Sequence, residues 1–119
     1  MTQTSTLLQI QNKIREFNSE RNWSQYHSPR NIAMALSVEA SELLELFLWS
    51  SDDGPQPPVE SRRTKVEDET ADVLICLLNF CEQMGIDLLE VTERKIERNR
   101  LKYPVEKSLG RLEKHNELE

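Results

Sequence analysis

The stretch Glu39-Ala40-Ser41-Glu42 and its echo Glu69-Thr70-Ala71-Asp72 constrain this chain more than any other feature. Each sets two acids three residues apart inside a segment whose apolar residues recur at helical spacing. Positions i and i+3 of a helix point the same way, so each segment offers two carboxylates on one face. Acids are seldom buried unless a cation or a metal compensates them. No basic residue lies inside either helical core, so a fold that gathers these pairs needs a positive charge the segments do not supply. Mg²⁺ suits the need, because it takes a few carboxylate oxygens and completes its shell with water and phosphate. Acids on solvated helix faces would need no ion, and the spacing by itself leaves that alternative open.

The rest of the chain reads as helices. Leu7, Ile10, Ile14 and Phe17 form an amphipathic stripe that predicts a first helix over about residues 5–21. The following linker, residues 22–29, is dense in groups that stack and hydrogen-bond. Ser28 before Pro29 reads as an N-cap with proline at the first helical position. A second helix is expected from Pro29 to Trp49 or Ser50, packed through Ile32, Leu36, Leu43, Leu44 and Phe47. Glu45 follows the first acid pair as a further ligand or a solvated residue. The Pro- and Gly-rich run from Ser51 to Pro58 breaks the chain into a surface loop.

A third helix begins somewhere in residues 59–67 and runs to about Met84. Its polar stripe is Glu69, Asp72, Cys76, Asn79 and Gln83, and most of its remaining surface is apolar. A helix so apolar is enclosed on several sides, which implies a partner chain packing there. Gly85 reads as a C-cap and Asp87 as the N-cap of a fourth helix ending near Lys102. Leu88, Val91 and Ile96 are its packing residues, and Lys95, Asn99 and Lys102 share one polar stripe. Tyr103-Pro104 stops it. This gives an all-α fold, a four-helix-bundle-like domain over residues 1–104, and a polar tail over 105–119 in which Leu109 and Leu112 add at most a turn or two.

Composition narrows the function. The 119 residues fit one domain with a modest core. Twenty-one acidic against fifteen basic residues leave a net charge of -6, which argues against a nucleic-acid partner. Cys76 and Cys81 have no zinc-type spacing and read as small buried thiols in a reducing, cytoplasmic compartment. No signal peptide and no membrane-spanning run is apparent. An acidic cluster together with a basic helix stripe suits a phosphorylated substrate, with Mg²⁺ on the acids and Lys or Arg on the remaining phosphate charge. A di-iron bundle would need Glu-x-x-His motifs, and His27 and His115 lie in none.

The paired motif, Glu39-x-x-Glu42 followed by Glu69-x-x-Asp72, resembles that of the all-α nucleoside triphosphate pyrophosphohydrolases, the MazG-like group. The segment Arg21 to Asn31, the run Phe47-Leu48-Trp49 and the segment Lys95 to Pro104 resemble the branch that includes the dCTP pyrophosphatases. The resemblance spans roughly residues 5–104. It implies a MazG-type fold assembled as a homodimer or homotetramer. It also implies Mg²⁺-dependent cleavage of nucleoside triphosphates between the α and β phosphorus atoms, in nucleotide-pool housekeeping. Glu42, Glu69 and Asp72 would be metal ligands, and Glu39 a ligand or the group that positions the attacking water. Lys95, Asn99, Arg98 and Lys102 would hold phosphates, with Tyr103 close by, unless that stripe is an ordinary ion-paired face.

Trp23, His27 and Trp49 resemble the branch's nucleobase pocket; the alternative for the two tryptophans is that they cap the bundle ends. Cys76 departs from the pattern, since dCTP-preferring relatives often carry tyrosine there, and this places the expected pyrimidine preference in question. Two alternatives remain at this point: the same fold acting on another phosphorylated nucleotide, and a non-catalytic helical module that binds a partner through its third helix.

Overall fold

Among the described residues every regular element is helical, and three of the four long helices begin where a side chain accepts from the free N–H groups of the helix start. The structure, a computed structural model, describes residues 5–48 and 62–117. Helix α1 spans Leu7–Glu20 and opens on a capping box. The Thr6 hydroxyl accepts from the Gln9 N–H at 3.2 Å, and the Gln9 side chain accepts from the Thr6 N–H at 2.8 Å. Helix α2 spans Pro29–Glu45, with the Ser28 hydroxyl accepting from the Asn31 N–H and Pro29 at its start. Helix α3 spans Arg63–Met84 and ends at Gly85, whose φ of 64° is the left-handed cap that glycine adopts without a Cβ clash. Helix α4 spans Leu88–Lys102, capped by Asp87 through the Glu90 N–H. A single turn, α5, follows at Val105–Ser108. Among the described residues there is no strand, and no helix long and apolar enough to cross a membrane.

The chain forms two compact units, Met1–Gly85 and Ile86–Glu119. In the first, α2 and α3 share the most extensive packing, and α1 also lies against α3. Its fully buried apolar side chains are Ile32 on α2 and Leu78 and Cys81 on α3, with Asn18 of α1 buried beside them. Arg15 on α1 makes two hydrogen bonds to the Glu82 carboxylate on α3, at 2.9 and 2.8 Å. In the second unit, Leu88 and Val91 are half-buried along α4.

The elements match the sequence expectations with four differences. Helix α2 stops at Glu45, about one turn early. There the bonds tighten to an i→i−3 pattern (Leu46 to Leu43, Phe47 to Leu44, Leu48 to Glu45), the usual way a helix end satisfies its last carbonyls. Leu44, expected to pack, is exposed, and so are Phe47 and, on α4, Ile96. The linker contains an unexpected 3₁₀ turn, Ser24–Tyr26, entered through Asn22 at a φ of 52°. In the tail, α5 ends before Leu109, which with Leu112 stands exposed. Trp49 and the expected loop from Ser51 to Pro58 lie outside the described residues.

Candidate metal and nucleotide site

The two acid pairs face each other across the α2–α3 seam. One carboxylate oxygen each from Glu39, Glu69 and Asp72 lies within 4.8 Å of the others. Glu42, one turn along α2, is close enough for its charge to act on both Glu39 and Glu69. The hydroxyls between these acids are already committed: Ser41 donates to the Ser37 carbonyl at 2.9 Å and Thr70 to the Val66 carbonyl at 2.7 Å. They cannot donate to the carboxylates as well. Among the described residues no ion pair involves any of the four acids.

Concentrated like charge shows in the protonation of the site. Burial, then the contact with Glu69 and the charges of Glu42 and Asp72, push the Glu39 carboxyl up to about 7. Burial also raises Glu69; its contact with Glu39 works in the opposite direction, and the Glu42 and Asp72 charges add to the rise. The Cys76 thiol, half-buried one turn beyond Asp72, is raised by burial and then by Glu39 and Asp72. One Glu69 oxygen, Oε2, is buried with no hydrogen-bond partner. A buried orphan acceptor costs free energy, and beside further carboxylates it suits a divalent cation with hard oxygen ligands. The donor set present therefore fits such an ion, held by Glu39, Glu69 and Asp72 with Glu42 adjacent.

A cavity of about 420 Å³ opens in the same unit. Its walls are mainly apolar, with Ile14, Phe17, Trp23 and Ile75 among them, and His27 is one of its polar lining residues. The Trp23 and Phe17 rings meet edge to face, 5.5 Å between centroids, while the Arg21 guanidinium sits 3.7 Å over the Phe17 ring. Phe17 is thus clamped on two sides and steadies Trp23. Trp23 and His27 both line this cavity.

Residues 34–118 match the MazG-like family. That stretch carries both acid pairs, and it settles the lineage. The chain belongs to the MazG-like family. It is 40% identical to mouse (Mus musculus) dCTP pyrophosphatase 1 over 115 residues, 95% of this chain and 68% of that protein. The human (Homo sapiens) dCTP pyrophosphatase 1 is 37% identical over the same shares. A solved structure of a pyrophosphatase from Archaeoglobus fulgidus superposes with a TM-score of 0.78 at 39% identity, covering 87% of this chain and 97% of that one. With these relatives, this MazG-like chain is an enzyme of the nucleoside triphosphate pyrophosphohydrolase class.

The remaining expected site residues, Lys95, Arg98, Asn99, Lys102 and Tyr103, all belong to the second unit, on or just after α4. Lys95, Arg98 and Lys102 are exposed and take part in no ion pair among the described residues. Asn99 closes the helix by accepting the Tyr103 N–H at 2.8 Å. Sequence reasoning passed over two groups that line the cavity, Asn18 and Asn79. Asn79 was visible on the polar stripe of α3 without a role. Asn18 was signalled as a polar residue four positions after Ile14, on the apolar side of α1.

Proposed function

We propose that this MazG-like protein hydrolyses (deoxy)nucleoside triphosphates, with Mg²⁺ as the ion, to nucleoside monophosphate and pyrophosphate. The observation that carries this is the triad of Glu39, Glu69 and Asp72 within 4.8 Å, with the Glu69 Oε2 atom buried and unpartnered. When bound, the ion supplies charge neutralisation at the phosphate oxygens and a lower pKa for the attacking water. Glu42, Glu69 and Asp72 hold it. Glu39, whose carboxylate oxygen lies within 4.8 Å of those of Glu69 and Asp72, is a further ligand or the group that orients the attacking water.

Water attacks, the bond between the α and β phosphates breaks, and pyrophosphate leaves with the bridging oxygen. Lys95, Arg98, Asn99 and Lys102 neutralise the phosphates, with Tyr103 beside them. Trp23, His27 and Trp49 enclose the base. Pyrimidine deoxynucleotides such as dCTP are the preferred substrates, in keeping with the names of the mouse and human relatives, and Cys76 widens the base side relative to a tyrosine. Homodimers or homotetramers in the cytoplasm, clearing surplus nucleotides, complete the assignment. The apolar positions left exposed on α3, Leu74 and Ile75, support an assembly of copies.

Product analysis tests it. The protein is given a panel of ribo- and deoxyribonucleoside triphosphates with Mg²⁺ or with chelator. Metal-dependent monophosphate plus pyrophosphate is expected, fastest with dCTP. Diphosphate and phosphate as products, or no cleavage by folded protein, would sink the assignment.

A further inference from the structure

Asn18 is nine-tenths buried. Its Nδ2 donates to Asn79 Oδ1 at 2.9 Å, from α1 to α3, and both amides line the 420 Å³ cavity. A primary amide has two donor protons and two acceptor lone pairs. The single bond between them leaves Asn18 Oδ1 and Asn79 Nδ2 without a hydrogen bond among the described residues. The pair thus presents one acceptor and one donor side by side inside a mainly apolar chamber. Polar groups so placed discriminate strongly, because a ligand that fails to pair with them leaves them desolvated and unsatisfied.

We infer that the Asn18–Asn79 pair reads the hydrogen-bonding edge of the nucleobase. The inference rests on the nucleotide reading above. Asn79 lies seven residues beyond Asp72 on the same face of α3, about 10 Å along the helix at 1.5 Å per residue. That is the reach of a nucleoside from its 5′ phosphate to the far edge of its base. The exocyclic amino group and adjacent ring nitrogen of cytosine match one acceptor beside one donor. The ring N–H and adjacent carbonyl of thymine or uracil match the opposite order. Turning both amides over together keeps their mutual bond and exchanges the free donor with the free acceptor. The pair therefore accepts either kind of pyrimidine and separates cytosine from thymine only weakly. What it does not match is two adjacent donors, so guanine can meet it only through its ring N–H and carbonyl and not through its ring N–H and amino group.

Asn79→Asp converts that rule. The new carboxylate can only accept, so Asn18 must donate to it, and the two free positions both become acceptors. Guanine then pairs with both of them, through its ring N–H and its amino group, while cytosine keeps one bond and meets a repulsion at its ring nitrogen. Calorimetric titration of dCMP, dGMP and base-free deoxyribose 5-phosphate into wild type and variant, without metal, reads the change directly. The dGMP-to-dCMP affinity ratio is expected to rise at least about tenfold, the discrimination of a good two-point contact, with the base-free sugar unaffected. Asn79→Leu is expected to weaken both nucleotides alike, and in turnover to raise KM while leaving kcat. Circular dichroism melts confirm that each variant is folded.

An unchanged ratio in folded Asn79→Asp overturns the inference, even if triphosphates are still cleaved to monophosphate and pyrophosphate. Equal wild-type affinity for dCMP and the base-free sugar overturns it too. If the ratio moves as expected but no triphosphate is cleaved, the edge-reading stands and the proposed activity falls.

Discussion

Glu39 on α2 and Glu69 on α3 bring carboxylate oxygens within 4.8 Å of each other, and burial, with the charges of Glu42 and Asp72 beside it, raises both above their ordinary value. An ion entering the site must displace the proton that Glu39 carries. Metal affinity is therefore expected to strengthen as pH rises through about 7. Calorimetric titration of Mg²⁺ at pH 6 and pH 8, in buffers of differing ionisation enthalpy, checks both the affinity and the released proton. An affinity flat across that range would contradict it.

The same group affects stability with a definite sign. Its folded pKa of about 7 stands above the ordinary 4.5, so between these values the folded state binds more protons than the unfolded. By linkage, metal-free stability then falls as pH rises across that window. Glu39→Gln removes this dependence. Thermal melts of both proteins in chelator should diverge steadily from pH 5 to pH 7, the variant gaining on wild type.

Glu69→Gln or Asp72→Asn is expected to lower turnover at least about 100-fold, since a metal site supplies several kcal/mol of charge stabilisation. Neither should unfold the protein, and in chelator each relieves repulsion. Steady-state rates beside denaturation midpoints distinguish lost chemistry from lost fold.

Much of this was legible beforehand. Capping residues act locally, so Ser28-Pro29, Gly85 and Asp87 marked their helix ends correctly. The i, i+3 spacing placed each acid pair on one face, and packing of α2 on α3 brought the pairs together. What sequence could not supply was cross-helix pairing. Nothing local tells Asn18 that Asn79 will stand 2.9 Å away, or Arg15 that it will meet Glu82. The early end of α2 was equally hidden, because Leu46, Phe47 and Leu48 are acceptable helix residues and only their bonding shows the tightened turn.

The Arg15–Glu82 bridge is half-exposed on both sides. Arg15→Ala should therefore cost under about 1 kcal/mol, and less in high salt. Its hydrogen bond from Arg15 holds Glu82 below the usual range. That contribution is present above the ordinary carboxylate pKa and is lost as pH falls through the folded value. Urea titrations of wild type and variant at pH 7 and near pH 3 should converge at the acid end.

Trp23→Ala removes the ring that Phe17 supports in the cavity. A stacked base is worth roughly 1–3 kcal/mol, so KM should rise between about 5- and 150-fold with kcat little changed. Initial rates over a substrate series provide the split, and an unaltered KM would remove Trp23 from the pocket.

The buried apolar side chains identified in the described structure number only three: Ile32, Leu78 and Cys81. They sit on the two helices that carry the four acids, so the carbon atoms that hold the fold shut also set the spacing of the charges that push it open. Packing and charge thus meet at the same seam. Truncating Leu78 therefore acts on the packing of α2 against α3 and on the separation of Glu39 from Glu69 and Asp72 together.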